Sequence, residues 1–104
     1  MLTASLHIDN VGGYPGYART YKLSEAKSFA GISTEYVTIW IQKGFAYQDP
    51  EVGLIASTET GASAGTSVRR APGSFVLHYM PETPEQIEGA FAYALMSLGV
   101  TQLV

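Results

Sequence analysis

The stretch that decides the fold is Tyr36 to Gly44, YVTIWIQKG. Val37, Ile39 and Ile41 alternate with Thr38, Trp40 and Gln42. A period of two with β-branched residues on one side marks a half-buried strand. Trp40, the chain's one tryptophan, falls with the polar set. The two faces of this strand therefore meet different surroundings, and the Trp40 face is the one to explain.

Alternation recurs on both sides of this strand. Ser5 to Val11 sets Leu6, Ile8 and Asn10 against His7, Asp9 and Val11. Gly12 to Tyr17, GGYPGY, is a turn, and Ala18 to Leu23 returns as the second arm of a hairpin. Ser24 to Thr34 has no clear period and reads as a crossing loop, with room for a short strand or helical turn. Asp49-Pro50 ends a turn over Phe45 to Pro50, and Glu51 to Thr58 is a further strand. Glu59 to Ser67 is small, polar and glycine-rich, which predicts a flexible loop. Ser74 to Met80 is the last strand, with Pro72 confining its start to an edge or an irregular approach. Thr83, Pro84 and Gln86 form the start signal of a helix over 84–98. Ile87, Ala90, Phe91, Ala94, Leu95 and Leu98 give it a single apolar stripe, and Gly99 is its stop. Gly89 inside the helix is either a place of close packing or a tolerated surface glycine. The last residues, VTQLV, read as an extension too short for a second helix.

These segments predict one α+β domain over residues 1–104. An N-terminal hairpin over 1–23 precedes the sheet strands of 36–80, with a loop at 59–67. The sheet is expected to be antiparallel, with the C-terminal helix on one face. Five strands are roughly 20–25 Å wide and a helix covers a band of about 10 Å. One helix therefore leaves part of the sheet bare. Either the sheet curls, a second chain supplies a helix, or the Ser24 to Thr34 segment covers the gap.

Composition narrows the function classes. The chain has a net charge of −3 and only 14% charged residues, a balance unlike that of a globally basic nucleic-acid binder. A surface short of charge suits burial in partners. No cysteine is present, so disulfides and thiolate metal sites are excluded. No apolar run reaches the ~20 residues of a membrane helix, and the first ten residues carry no secretory signal pattern.

No phosphate loop, nucleophile elbow or HExxH motif occurs, and no enzymatic activity, cofactor or metal is expected. His7 and Asp9, two apart on a strand, have the spacing of a base and its orienting carboxylate. Without a nucleophile or a third ligand, that pair reads as solvated hairpin residues. Glu82, Glu85 and Glu88 suit the positive end of the helix. Arg69 and Arg70 are the one adjacent basic pair; Arg19, Lys22, Lys27 and Lys43 complete the basic set. Beside an aromatic residue these could meet phosphates, or they could serve solubility alone.

The order of segments resembles the coat proteins of single-stranded RNA bacteriophages, the leviviruses. It rests on the hairpin SLHIDNV-GGYPGY-ARTYKL, the strand pair STEYVTIWIQKG and EVGLIAST, the loop ETGASAGTS, the basic lead-in SVRRAPG, the strand SFVLHYMPE and the helix TPEQIEGAFAYALMSLG. The resemblance implies an intertwined homodimer whose helices lie across the partner's sheet. It implies dimers that assemble into an icosahedral shell, the virion capsid, built in the cytoplasm of a bacterial host. The sheet's bare face would package single-stranded RNA and could bind an RNA hairpin as a translational repressor. On this reading Thr38, Trp40, Gln42, Lys43, Ser57 and His78 are RNA-binding. Phe91, Leu95, Leu98, Gly61 and Gly65 are inter-subunit. The chain is shorter and less basic on the inner face than the family pattern, which bears on hairpin recognition more than on shell formation. The other classes are a different phage structural or tail protein, and a small dimeric ligand-binding α+β module.

Overall fold

The computed structural model describes the chain except at residues 15, 30, 44–48, 66–74 and 78. Its elements are β1 (Leu2–Ile8), β2 (Tyr17–Phe29), β3 (Ile32–Gln42), β4 (Glu51–Ser57), β5 (Phe75–Val76), α1 (Pro84–Ser97) and β6 (Val100–Leu103). The described strands form one sheet in the order β5-β4-β3-β2-β1-β6. Five of these strands have four residues or more, and two-residue β5 lies at one edge. The α+β class is as the sequence predicts, but the sheet is mixed. The C-terminal residues continue as β6, which pairs parallel with β1 through Leu2↔Val100 and Ala4↔Leu103.

Two irregularities account for what periodicity missed. Ser24 to Thr34 is no crossing loop: β2 and β3 form one long hairpin that turns at Gly31 (φ +76°). Lys22 pairs with Tyr36, and Lys27 with Thr34. Five steps of β2 thus oppose two of β3, and the three extra residues bulge and reset the parity. A second bulge lies in β1, where Leu6 pairs with Tyr21 and Ile8 with Thr20. It parts His7 from Asp9. His7 turns to Tyr36 and the Glu59 carbonyl, while Asp9 meets Tyr17 and Arg19.

Helix α1 begins as its sequence dictates. The Thr83 hydroxyl accepts from the Gln86 amide, and the Gln86 side chain accepts from the Thr83 amide, closing a capping box. Leu98 is the C-cap, and Gly99 follows at φ +93°. Ala90, Phe91, Ala94, Leu95 and Leu98 are buried with Val37, Ile39, Ile41, Val52, Leu54 and Ala56 of the sheet. The facing read from the sequence for β3 is therefore observed, and the structure decides that of β4, with Val52, Leu54 and Ala56 toward the helix.

The single helix reaches across the sheet because of its direction. The chain leaves the sheet at the β5 edge and rejoins it at the β6 edge, so α1 passes beneath the strands between. Fourteen residues span about 21 Å at 1.5 Å each, close to the sheet's width. Tyr17, Ile32, Ala64, Leu77, Met80 and Ile87 fill the margins of this core. Leu6 of β1, which shares the helix side with Tyr21, stays 47% exposed, so that margin of the sheet is left open. Phe91, Leu95 and Leu98, expected to reach a neighbour, are buried against the chain's own sheet.

One cation crosses this apolar layer. Arg19 pairs across β2–β3 with Ile39, which places its side chain on the helix side. Its guanidinium donates to both Glu88 carboxylate oxygens at 2.8 and 2.6 Å, to Asp9 at 3.2 Å and to the Tyr21 hydroxyl at 3.2 Å. It also lies 4.6 Å from the centre of the Phe91 ring. Arg19 therefore joins the hairpin to α1 and is not free to meet a phosphate. Glu88 is its partner, beyond any service to the helix end.

Candidate nucleic-acid interface

The face opposite α1 is laid out in rows by the ladder. Ala18, Trp40 and Gly53 form one row; Thr20, Thr38 and Ile55 the next; Lys22, Tyr36 and Ser57 the third. Trp40 is thus on the side predicted. It is not exposed there: only 3% of its surface is accessible. Trp40, Ala18 and Ile55 make a second small core with Val11 and Tyr14 packed against it. The Tyr14 ring stacks on Trp40 with centroids 5.2 Å apart, and its hydroxyl donates to the Gly61 carbonyl at 2.6 Å.

Two chain reversals build this cover. The 11–16 turn is tied down where the Val11 amide donates to the Ala18 carbonyl. After β4 the chain folds back through Thr58–Ala62 hydrogen bonds and a Ser57–Ser63 bridge. The described part of the expected flexible loop, 59–65, is therefore a packed reversal. Gly61 sits in it at φ +88°, a conformation that favours glycine, against Val11 and Thr20. Beneath the cover, Thr20, Thr38 and Ser57 form a buried hydroxyl chain, with oxygens 2.8 and 2.9 Å apart. The Gly61 carbonyl lies 3.3 Å from the Thr38 hydroxyl and completes it.

Gly53 is required by Trp40. A Cβ on Gly53 would lie 2.2 Å from the indole ring. Gly53→Ala is expected to push Trp40 outward and cost about 1–3 kcal/mol, as overpacked cores do. A red-shifted Trp40 emission together with a lower urea midpoint is the expected readout.

The residues assigned to RNA therefore separate. Thr38, Trp40 and Ser57 are buried, so the open inner face anticipated for them is corrected to a covered one. Gln42 is half-buried beside a cleft of about 560 Å³ lined by Gly12, Tyr14, Trp40, Thr60 and Ser63 among others. Lys43 is exposed beyond the end of β3, and His78 lies outside the described residues. Trp40 Nε1 and Gln42 Oε1 are buried without a hydrogen-bond partner among the described residues. Of the loop glycines assigned to subunit contacts, Gly61 is buried on this face and Gly65 is bonded to the Ser63 side chain.

The accessible part of the face is the third row. Tyr36 is half-buried, Lys22 is exposed, and the exposed His7 ring stands 5.0 Å from Tyr36 at a tilt. A nitrogen of His7 lies 2.9 Å from the Glu59 carbonyl, which orients the ring. This group was missed, although a signal existed: Tyr36 shares the parity of Thr38, Trp40 and Gln42. Lys22 likewise shares that of Ala18 and Thr20. His7 could not be placed with them because its strand is bulged. Arg69 and Arg70 lie outside the described residues.

Burial raises the pKa of the Tyr14 and Tyr21 hydroxyls above the ordinary value, so both stay protonated across the neutral range. No group of three or more His, Asp or Glu suited to a metal occurs among the described residues. No helix among them is long and apolar enough to cross a membrane. No family model, no curated protein and no solved structure matches this chain.

Proposed function

We propose that the chain is a coat-type structural subunit whose dimers assemble into an icosahedral shell around single-stranded RNA. The observation that carries this reading is the distribution of exposed apolar side chains. Val76 and Tyr79 beside the β5 edge and Tyr93 of α1 line one cleft and are exposed, and Met96 is exposed further along the helix. Clustered apolar exposure of this kind supports association with another chain. The segment order of the RNA-phage coat proteins supplies the rest of the reading. An intertwined form would exchange α1 between two chains, with each helix occupying on the partner's sheet the bed it has here. Domain exchange of this sort needs no new contacts.

RNA would lie on the face opposite α1. There His7 and Tyr36 offer stacking surfaces, and Lys22 and Lys43 offer charge. So few cations suit weak contact with RNA better than recognition of one hairpin. The site of action would be the virion, assembled in a bacterial cytoplasm. Expression of the intact chain in bacteria is expected to yield particles visible by electron microscopy, with a raised 260/280 nm absorbance ratio. A monodisperse small species at high concentration, free of nucleic acid, would overturn the proposal.

One observation favours a second reading, a dimeric ligand-binding module. Lining the 560 Å³ cleft are an indole N–H and an amide oxygen that have no hydrogen-bond partner among the described residues. That reading expects a discrete dimer without nucleic acid, whose Trp40 emission changes when a small planar ligand binds.

A further inference from the structure

Two buried polar atoms on one face of β3 stand without partners. Trp40 Nε1 and Gln42 Oε1 have almost no accessible surface and no hydrogen bond among the described residues. Buried polar atoms are nearly always bonded, so a donor and an acceptor left open at one place call for an occupant. Both residues line the cleft of about 560 Å³ between the two covering reversals. Clefts of this size hold small molecules.

The lining decides the kind of molecule. No described lining residue carries a charge, and an ion shut in there without a counter-charge is costly. The other polar side chains are already engaged. The Tyr14 hydroxyl donates to the Gly61 carbonyl, the Thr60 hydroxyl lies 2.8 Å from that of Thr58, and the Ser63 hydroxyl accepts from the Gly65 amide at 3.3 Å. The indole rests on Gly53 and is capped by the Tyr14 ring, so it has no free face for stacking. Its N–H is what it offers, and an indole nitrogen only donates. The Gln42 oxygen only accepts. The two residues stand two apart on one strand face, roughly 7 Å between Cα atoms.

We propose that this cleft binds an uncharged small molecule through a carboxamide-like group, whose oxygen accepts from Trp40 Nε1 and whose N–H donates to Gln42 Oε1. Gln42 is half-buried and turns about its own side-chain bonds to admit the group, so the backbone of β3 stays in place. This assignment rests on the ligand-binding reading of the cleft and holds with or without a shell.

The isosteric set benzamide, benzoate and benzamidine separates the chemistry. Benzamide both accepts and donates, benzoate only accepts, and protonated benzamidine only donates. The readout is the indole N–H proton resonance, which belongs to one residue because Trp40 is the one tryptophan. Titration of the intact chain with benzamide is expected to move this resonance downfield to a plateau. Benzoate and benzamidine are expected to bind about tenfold more weakly. Gln42→Leu removes the acceptor and should weaken benzamide by about tenfold. Gln42→Glu returns an acceptor with a negative charge and should turn the preference to benzamidine. Benzoate or benzamidine binding the native chain as tightly as benzamide would overturn the carboxamide assignment and keep the cleft as a ligand site. No saturable shift with any of the three would overturn both. Unchanged benzamide binding by a folded Gln42→Leu chain would also overturn the assignment. Should that variant unfold, the comparison of the three probes on the native chain decides.

Discussion

Replacing Trp40 with alanine is expected to destabilise the fold by about 3–5 kcal/mol, the usual cost of emptying an aromatic site in a core. Trp40 is 97% buried, rests on Gly53 and is capped by Tyr14. Its removal opens a cavity between the sheet and both covering reversals, and those reversals have little else apolar beneath them. A domain of this size has only ~5–15 kcal/mol in hand, so the variant should be partly unfolded at modest urea. Trp40→Phe, which keeps a ring against Tyr14, should lose less. Urea unfolding with an unchanged slope is the measurement. A loss under about 1 kcal/mol would show that this face is not packed. The native indole should emit to the blue and resist acrylamide quenching. As the one tryptophan, it gives an uncontaminated signal.

The second large effect concerns Arg19 and has an asymmetry that tests its cause. The Arg19 side chain is only 10% exposed, whereas Glu88 is 57% exposed. Glu88→Ala takes away the two shortest bonds of a guanidinium in an apolar layer and leaves it Asp9 and the Tyr21 hydroxyl. Breaking a fully buried pair costs ~3–5 kcal/mol; with one partner so open to water, about 2–3 kcal/mol is expected. Arg19→Met removes the charge, keeps an unbranched chain against Phe91 and leaves two carboxylates that water can reach. It should cost less, about 1–2 kcal/mol. The reverse order would show that packing, and not the poorly paired charge, sets the loss.

The same cluster sets an acid limit on stability. Hydrogen bonds from Arg19 lower the Glu88 pKa below its ordinary 4.5. The Tyr17 hydroxyl, followed by Arg19, lowers Asp9 below 3.8. The unfolded chain therefore binds more protons than the folded one in acid. The stabilisation is complete above those ordinary values and is lost as pH falls through the lowered folded-state ones. Arg19→Met should flatten the stability profile below about pH 4.5. A profile as steep as the native one would place the acid sensitivity elsewhere.

The sequence by itself determined the elements whose signals are local. Helix α1 is set by the Thr83–Gln86 capping box, its apolar stripe and Gly99. The faces of β3 are set by period two, since adjacent strand residues must point oppositely; in β4, Ile55 among Val52, Leu54 and Ala56 blurs the same pattern. Where register slips, the local pattern fails. The three-residue bulge hid half of the β2–β3 hairpin, and the bulge at His7 made one pair of two residues that face apart. β6 has a weak pattern of its own and is a strand because α1 delivers it to the free edge of β1.

The candidate site was legible in its parity and hidden in its exposure. Period two places Trp40 opposite the helix, but it carries no information about a loop twenty residues away. Only the tertiary structure brings Tyr14 and Gly61 over Trp40 and Thr38, and only it sends Arg19 to Glu88 across sixty-nine residues. Burial is a sum over the whole chain's neighbours, whereas alternation is a property of one strand. Which face a residue of the regular β3 strand takes was therefore readable from the sequence, and whether that face is open was decided by the fold.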